Sequence, residues 1–184
     1  NISKQKSWNL WALLEASIAR DFKAKKPNSK WSSDITHIWT EEGWLYLSTV
    51  IDLYSRKIVE WSMNSRMNKE LVNEAFKMAI VNRKSEKNCL ISHSDRGSQY
   101  ASYDHQKLLN LFGVKCSMNR KGNCWDNSPI ESFFASLKKE HVFFNRFKTK
   151  EEAKQSIFEW IEVFYNRQRI HSSLGYLSPV EYGK

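Results

Sequence analysis

The 184-residue chain is 41% hydrophobic and 14% aromatic, which suits a single sizeable core and excludes a disordered tail. Lys and Arg number 29 against 20 Asp and Glu, and the resulting formal charge of +9 favours a polyanionic partner. No window approaches about 18 apolar residues and no charged-then-apolar leader is present, so neither a membrane span nor a secretion signal is expected.

The start at Asn1 is expected to mark a fragment or a processed form. Cys89, Cys116 and Cys124 are odd in number and form no CxxC pair, which argues against a zinc site or disulfide framework and fits a reducing cytoplasm. In chain order, Trp8, Trp11, Leu14 and Ile18 recur at helical spacing and predict an amphipathic helix over Ser7 to Phe22. Lys23 to Lys30 is a basic, Pro-broken stretch that reads as a solvated connector, with a DNA-tracking arm as its alternative. Residues 1–30 thus separate from 31–184.

Three strands follow, Ile35 to Thr40, Trp44 to Ile51 and Lys57 to Met63, rich in β-branched and aromatic residues and separated by hairpin-length turns. Leu71, Ala75, Phe76, Ala79 and Ile80 mark one face of a helix with Asn68 as its N-cap. A strand at Cys89 to Ser94, a helix at Ser102 to Phe112 and a strand at Val114 to Met118 come next. Helices at Pro129 to His141 and Lys150 to Tyr165 close the order βββαβαβαα. That order describes an α/β fold, a mixed sheet with helices on its faces.

Three acids lie where elements begin or end: Asp34 before the first strand, Asp95 after the fourth, and Glu131 in the first turn of the penultimate helix. In open sheets, sites collect beyond strand ends, where side chains from separate elements converge. Each acid also has a structural reading. Asp34 could be an exposed strand-end residue and Asp95 a turn initiator before Gly97. Ser128-Pro129-Ile130-Glu131 matches a capping box. Asp52 reads as support for a hairpin turn, Asp104 as a helix-dipole partner, and Asp126 and Asn127 as positioning the next helix.

Asp95 and Glu131 are separated by 35 residues, and Lys138 stands seven positions after Glu131. This spacing resembles the D,D(35)E pattern of retroviral integrases and related bacterial insertion-sequence transposases. The stretches HSDRGSQY from His93, KGNCWDNSPIESFFASLKKE from Lys121 and YNRQRIHSSLGYLSPVEY from Tyr165 resemble insertion-sequence transposase text. The resemblance covers about Phe22 to Tyr182, with Trp125 where a Tyr is common.

The resemblance implies a ribonuclease-H-like, integrase-core α/β fold: a mixed five-stranded sheet flanked by helices, with a C-terminal helical extension within 31–184. It also implies a DNA transposase in which Asp34, Asp95 and Glu131 hold two Mg²⁺ (or Mn²⁺) ions. Hard cations of this kind prefer carboxylate oxygen, and a pair about 3.5–4 Å apart suits in-line phosphoryl transfer. At 100° per residue, Glu131 and Lys138 fall on one edge of their helix, about 80–100° from the core-facing Ile130.

Lys138, Arg120, Lys121, Lys139 and Arg169 are the candidate DNA contacts; His93 and His171 read as supporting residues. The expected partners are transposon-end and target DNA and further copies of the chain, in a bacterial, nucleoid-associated cytoplasmic setting. Two other readings remain open, a nuclease that cleaves without joining and a non-catalytic DNA-binding relative. Strand-transfer and Mg²⁺-titration assays respectively separate them.

Overall fold

The computed structural model describes residues 24–83, 88–95, 97–118 and 128–184. The expected helix at Ser7 to Phe22, together with Arg120, Lys121, Cys124, Trp125, Asp126 and Asn127, lies outside these residues. Among the described residues, no helix is long and apolar enough to cross a membrane.

Strand β1 (Lys30–Thr40) pairs antiparallel with β2 (Gly43–Asp52), ten pairs in unbroken register from Trp31↔Asp52 to Thr40↔Gly43. Gly43 closes the turn with φ of 98°, a left-handed conformation that L side chains adopt only under strain. Strand β3 (Ile58–Asn64) lies antiparallel to β2, with a bulge at Val50/Ile51. Asp52 secures the β2–β3 turn as expected, accepting from the Ser55 amide (3.2 Å), the Ser55 hydroxyl (2.8 Å) and the Asn28 amide (3.1 Å).

Helix α1 (Lys69–Arg83) is capped by Asn68, whose side chain accepts from the Leu71 amide. Strand β4 (Ile91–Ser94), helix α2 (Tyr103–Leu111) and strand β5 (Lys115–Met118) complete the sheet, in the order β3-β2-β1-β4-β5. Its last two pairings, β1 with β4 and β4 with β5, are parallel. The five-stranded mixed sheet matches the expectation.

One boundary differs. The first strand begins at Lys30, five residues before the expected Ile35, so Asp34 sits inside a strand and not ahead of one. The stretch Trp31-Ser32-Ser33 lacks an obvious strand pattern, but β1 is central and buried between two partners. Pairing on both sides overrides weak local propensity.

The sheet has a core on each face. Ile38, Leu45, Leu47, Ile51 and Ile58 pack on helix α3 (Ser128–Glu140) and helix α4 (Lys150–Glu159) through Ile130, Phe133, Leu137 and Ile157. On the other face, Trp31, Val50 and Val59 meet Phe76 and Ala79 of α1 and Leu109 of α2. α4 runs on as a π-helical turn at Trp160–Tyr165, which sets Trp160, Ile161 and Tyr165 all into the protein. Directly after it, Asn166 is buried and bridges β3, donating to the Ile58 carbonyl (3.1 Å) and accepting from its amide (2.9 Å). A short helix, α5 (Pro179–Tyr182), ends the chain.

Candidate active site

Alternation along β1 places Asp34 on the same face as Ile38, the face covered by α3. Its cross-strand partner is Thr49. β4 pairs with β1 only as far as Ser33↔Ser94. Beyond that point Asp95 follows the end of β4, and β1 from Asp34 onward has no strand on that side among the described residues. α3 packs against β1 and brings Glu131, exposed in its first turn, over this opening.

The three acids are drawn into one region. Burial raises the Asp34 carboxyl from 3.8 to about 6; the Ile35 amide, donating to Oδ1 at 2.8 Å, opposes, and the charges of Asp95 and Glu131 add to the rise. They are not closed into a cage: among the described residues, no group of three His, Cys, Asp or Glu side chains is close enough to hold a metal ion.

Asp95 is steadied by the Gly97 amide, which donates to Oδ1 at 2.9 Å. A Cβ on Gly97 would meet that same oxygen at 2.9 Å, so only glycine lets the backbone approach the carboxylate this closely. Glu131 accepts no hydrogen bond from any described residue, so the capping box with Ser128 is not formed.

Nearby polar atoms add to the picture. The Thr49 hydroxyl and the Tyr100 hydroxyl are buried without a hydrogen-bond partner among the described residues. Burial, then the Asp34 charge, pushes the Tyr100 phenol well up; Ser48, beside it without hydrogen-bond geometry, pulls the other way. His93 is buried, with Nδ1 3.0 Å from the Ser117 hydroxyl. The donor set, hard carboxylate oxygens of which one has its pKa raised by burial and then by the charges of the other two, fits a divalent cation.

The candidate DNA contacts divide. Lys138 lines a groove of about 410 Å³ with Ile38, Trp39, Trp44, Phe143 and Arg146. The groove lies between the same strand and helix that carry Asp34 and Glu131: Ile38 is four residues further along β1, about 13 Å, and Lys138 two turns further along α3, about 10 Å. Trp39, Trp44 and Phe143 are exposed large aromatics there. Lys139 is exposed. Arg169 is already engaged, with Nε 2.8 Å and a terminal nitrogen 2.5 Å from the Glu140 carboxylate and a further bond to Ser136.

The raised Asp34 carboxyl makes a testable statement about stability. In the unfolded chain it ionises near 3.8 and in the folded protein near 6, so between those values the unfolded chain holds fewer protons. Stability therefore falls as pH rises through that window, by up to about 3 kcal/mol, and stays lower above it. Asp34→Asn is expected to be more stable than wild type to urea at pH 7 and to lose that advantage by pH 4. Equal midpoints at pH 7 would show that the carboxylate carries no such strain.

The architecture is that of integrase catalytic cores. A chain of the simian T-cell lymphotropic virus intasome, solved in complex with PP2A regulatory subunit B56 gamma, superposes with a TM-score of 0.71 at 15% identity, covering 88% of this chain and 56% of that one. The HTLV-2 integrase catalytic core domain, solved with magnesium, gives 0.66 at 14% identity, covering 88% of this chain and all of that one.

Two family models described as integrase core domain match residues 24–124 and 112–179, and the chain belongs to that family. Among curated relatives, the insertion element IS600 uncharacterized 31 kDa protein of Shigella sonnei is 47% identical over 165 residues, 90% of this chain and 60% of its own length. Transposase InsF for insertion sequence IS3A of Escherichia coli is 46% identical, over 90% of this chain and 57% of its own. The chain thus spans somewhat over half the length of these relatives.

Proposed function

We propose that this chain is the catalytic core of a DNA transposase, with Asp34, Asp95 and Glu131 as its catalytic and metal-holding residues. The observation that carries the reading is the convergence of three carboxylates from β1, the end of β4 and the start of α3 on one opening of the sheet, where two of them act on the third. A relative named as a transposase and a neighbouring integrase core solved with magnesium support it. Bound Mg²⁺ or Mn²⁺ would supply Lewis-acid polarisation of the scissile phosphate and lower the pKa of the attacking hydroxyl or water.

The residues of the chain do the rest. Asp34, Asp95 and Glu131 would hold the ions; Asp34 must be ionised to do so, which favours binding as pH rises through about 6. Lys138 would neutralise a strand phosphate along the groove it lines, with Lys139 adding charge beside it; Arg120 and Lys121 remain proposals from the sequence alone. The reaction is hydrolysis of one phosphodiester, leaving a 3′-OH, followed by attack of that oxygen on a second phosphodiester with expulsion of a new 3′-OH. No protein nucleophile enters either step. DNA ends and target DNA are the proposed partners, with further copies of the chain assembled on them.

The test offers precut element ends and a target plasmid in Mg²⁺ or Mn²⁺, with EDTA as control. Joined product dependent on the divalent ion is expected. Hydrolysed DNA without joined product would favour a nuclease, and binding with no metal-dependent chemistry a non-catalytic relative.

A further inference from the structure

On the flank of α3 turned away from Glu131 and Lys138, Ser132 and Ser136 line a second cleft of about 520 Å³, closed by Arg56, Tyr165, Arg169 and His171, with no carboxylate among the described residues of its lining. Arg56 projects from the β2–β3 turn, held in a left-handed conformation (φ 60°) with its amide donating to the Asp52 carbonyl at 2.8 Å. Burial lowers its pKa, the Tyr165 phenol opposing, and no acid among the described residues pairs with it. A partly desolvated cation that no described acid pairs with gains from the arrival of an anion.

The other groups suit that arrival. Glu140 already matches Arg169, so among the described residues the unmatched charge of the cleft is that of Arg56. Burial first, then the charges of Arg169 and Arg56, depress His171 to about 4, leaving it neutral and able to donate one hydrogen bond near pH 7. A guanidinium fork, serine hydroxyls and a neutral imidazole together offer several donors and one net positive charge, which matches the oxygens of a phosphodiester.

We propose that this cleft binds a backbone phosphate of the DNA strand that crosses α3, about one helix diameter from Glu131. The inference rests on the reading of the chain as a DNA-acting core and adds a phosphate site that the carboxylates do not provide.

The test follows binding of a labelled duplex of arbitrary sequence by fluorescence anisotropy, in EDTA, across a series of NaCl concentrations. Arg56→Ala is expected to bind roughly 3- to 10-fold more weakly at low salt and to make the salt slope shallower by about one. Ser173→Glu introduces an anion at the exposed rim of the same cleft and is expected to weaken binding without disturbing the core, which covers the case where Arg56→Ala fails to fold.

Unchanged affinity and slope in both variants would overturn the phosphate site while leaving the transposase reading intact. Wild-type protein that does not bind duplex would overturn both. Tight binding of inorganic phosphate, lost in Arg56→Ala while duplex affinity is unmoved, would mark a small-anion site and overturn the DNA assignment.

Discussion

Glu131→Gln is expected to lose strand cleavage and joining by at least about a hundredfold while melting close to wild type. The carboxylate is exposed, accepts no hydrogen bond from a described residue, and reaches Asp34 through its charge. The amide keeps its shape and removes that charge, so under the proposed function what disappears is the capacity to help hold a cation. Some helix-dipole stabilisation goes too, up to about 1 kcal/mol for an acid in a first turn. Joining assays beside thermal melts of both proteins make the comparison. A variant that melts far lower, in a protein whose activity ignores divalent ions, would return Glu131 to a helix-capping role.

Phe133→Ala, two positions along the same helix, should have the opposite profile and cost about 3–5 kcal/mol in stability. Phe133 is 1% exposed, and its ring meets Phe134, Trp160 and Tyr165 at centroid distances of 5.4, 6.0 and 4.8 Å. Removing it opens a cavity where α3, the π-turn and the sheet meet, in a domain whose whole stability is on the order of 5–15 kcal/mol. Urea unfolding would show the midpoint falling sharply, with activity lost in proportion to the folded fraction. A cost below about 1 kcal/mol would mean that α3 is not packed as the structure has it.

These two neighbours show what could be read from the sequence and what could not. Phe133 lay on a stripe with Ile130, Phe134 and Leu137, and helical periodicity alone assigns such a stripe to the core. Glu131 was ambiguous because Ser-Pro-Ile-Glu carries a capping-box pattern. The related Ser178-Pro179-Val180-Glu181 forms that box in full, with Glu181 accepting from the Ser178 amide at 2.9 Å. Ser128 and Glu131 do not.

The early start of β1 was hidden because Ser32 and Ser33 owe their strand geometry to neighbours on both sides, which no local pattern records. The π-turn at Trp160–Tyr165 was hidden too, since the periodicity there reads as continuous helix. Arg56 falls in the short stretch between the second and third strands, where a cation carries no special meaning in the sequence. Its interest comes from the distant Tyr165 and from burial with no acid among the described residues paired to its side chain, which no local pattern records.

Asp34 differs from its two companions in how firmly its backbone is tethered. It is mid-ladder in the ten-pair hairpin, whereas Asp95 lies just past a four-residue strand and Glu131 in the opening turn of a helix. If the carboxylates draw together around ions, the stationary member is the one on the hairpin, and the travel falls to the segment after β4 and the front of α3. Ion affinity would then be tuned by the slack in those two pieces of chain more than by the sheet itself.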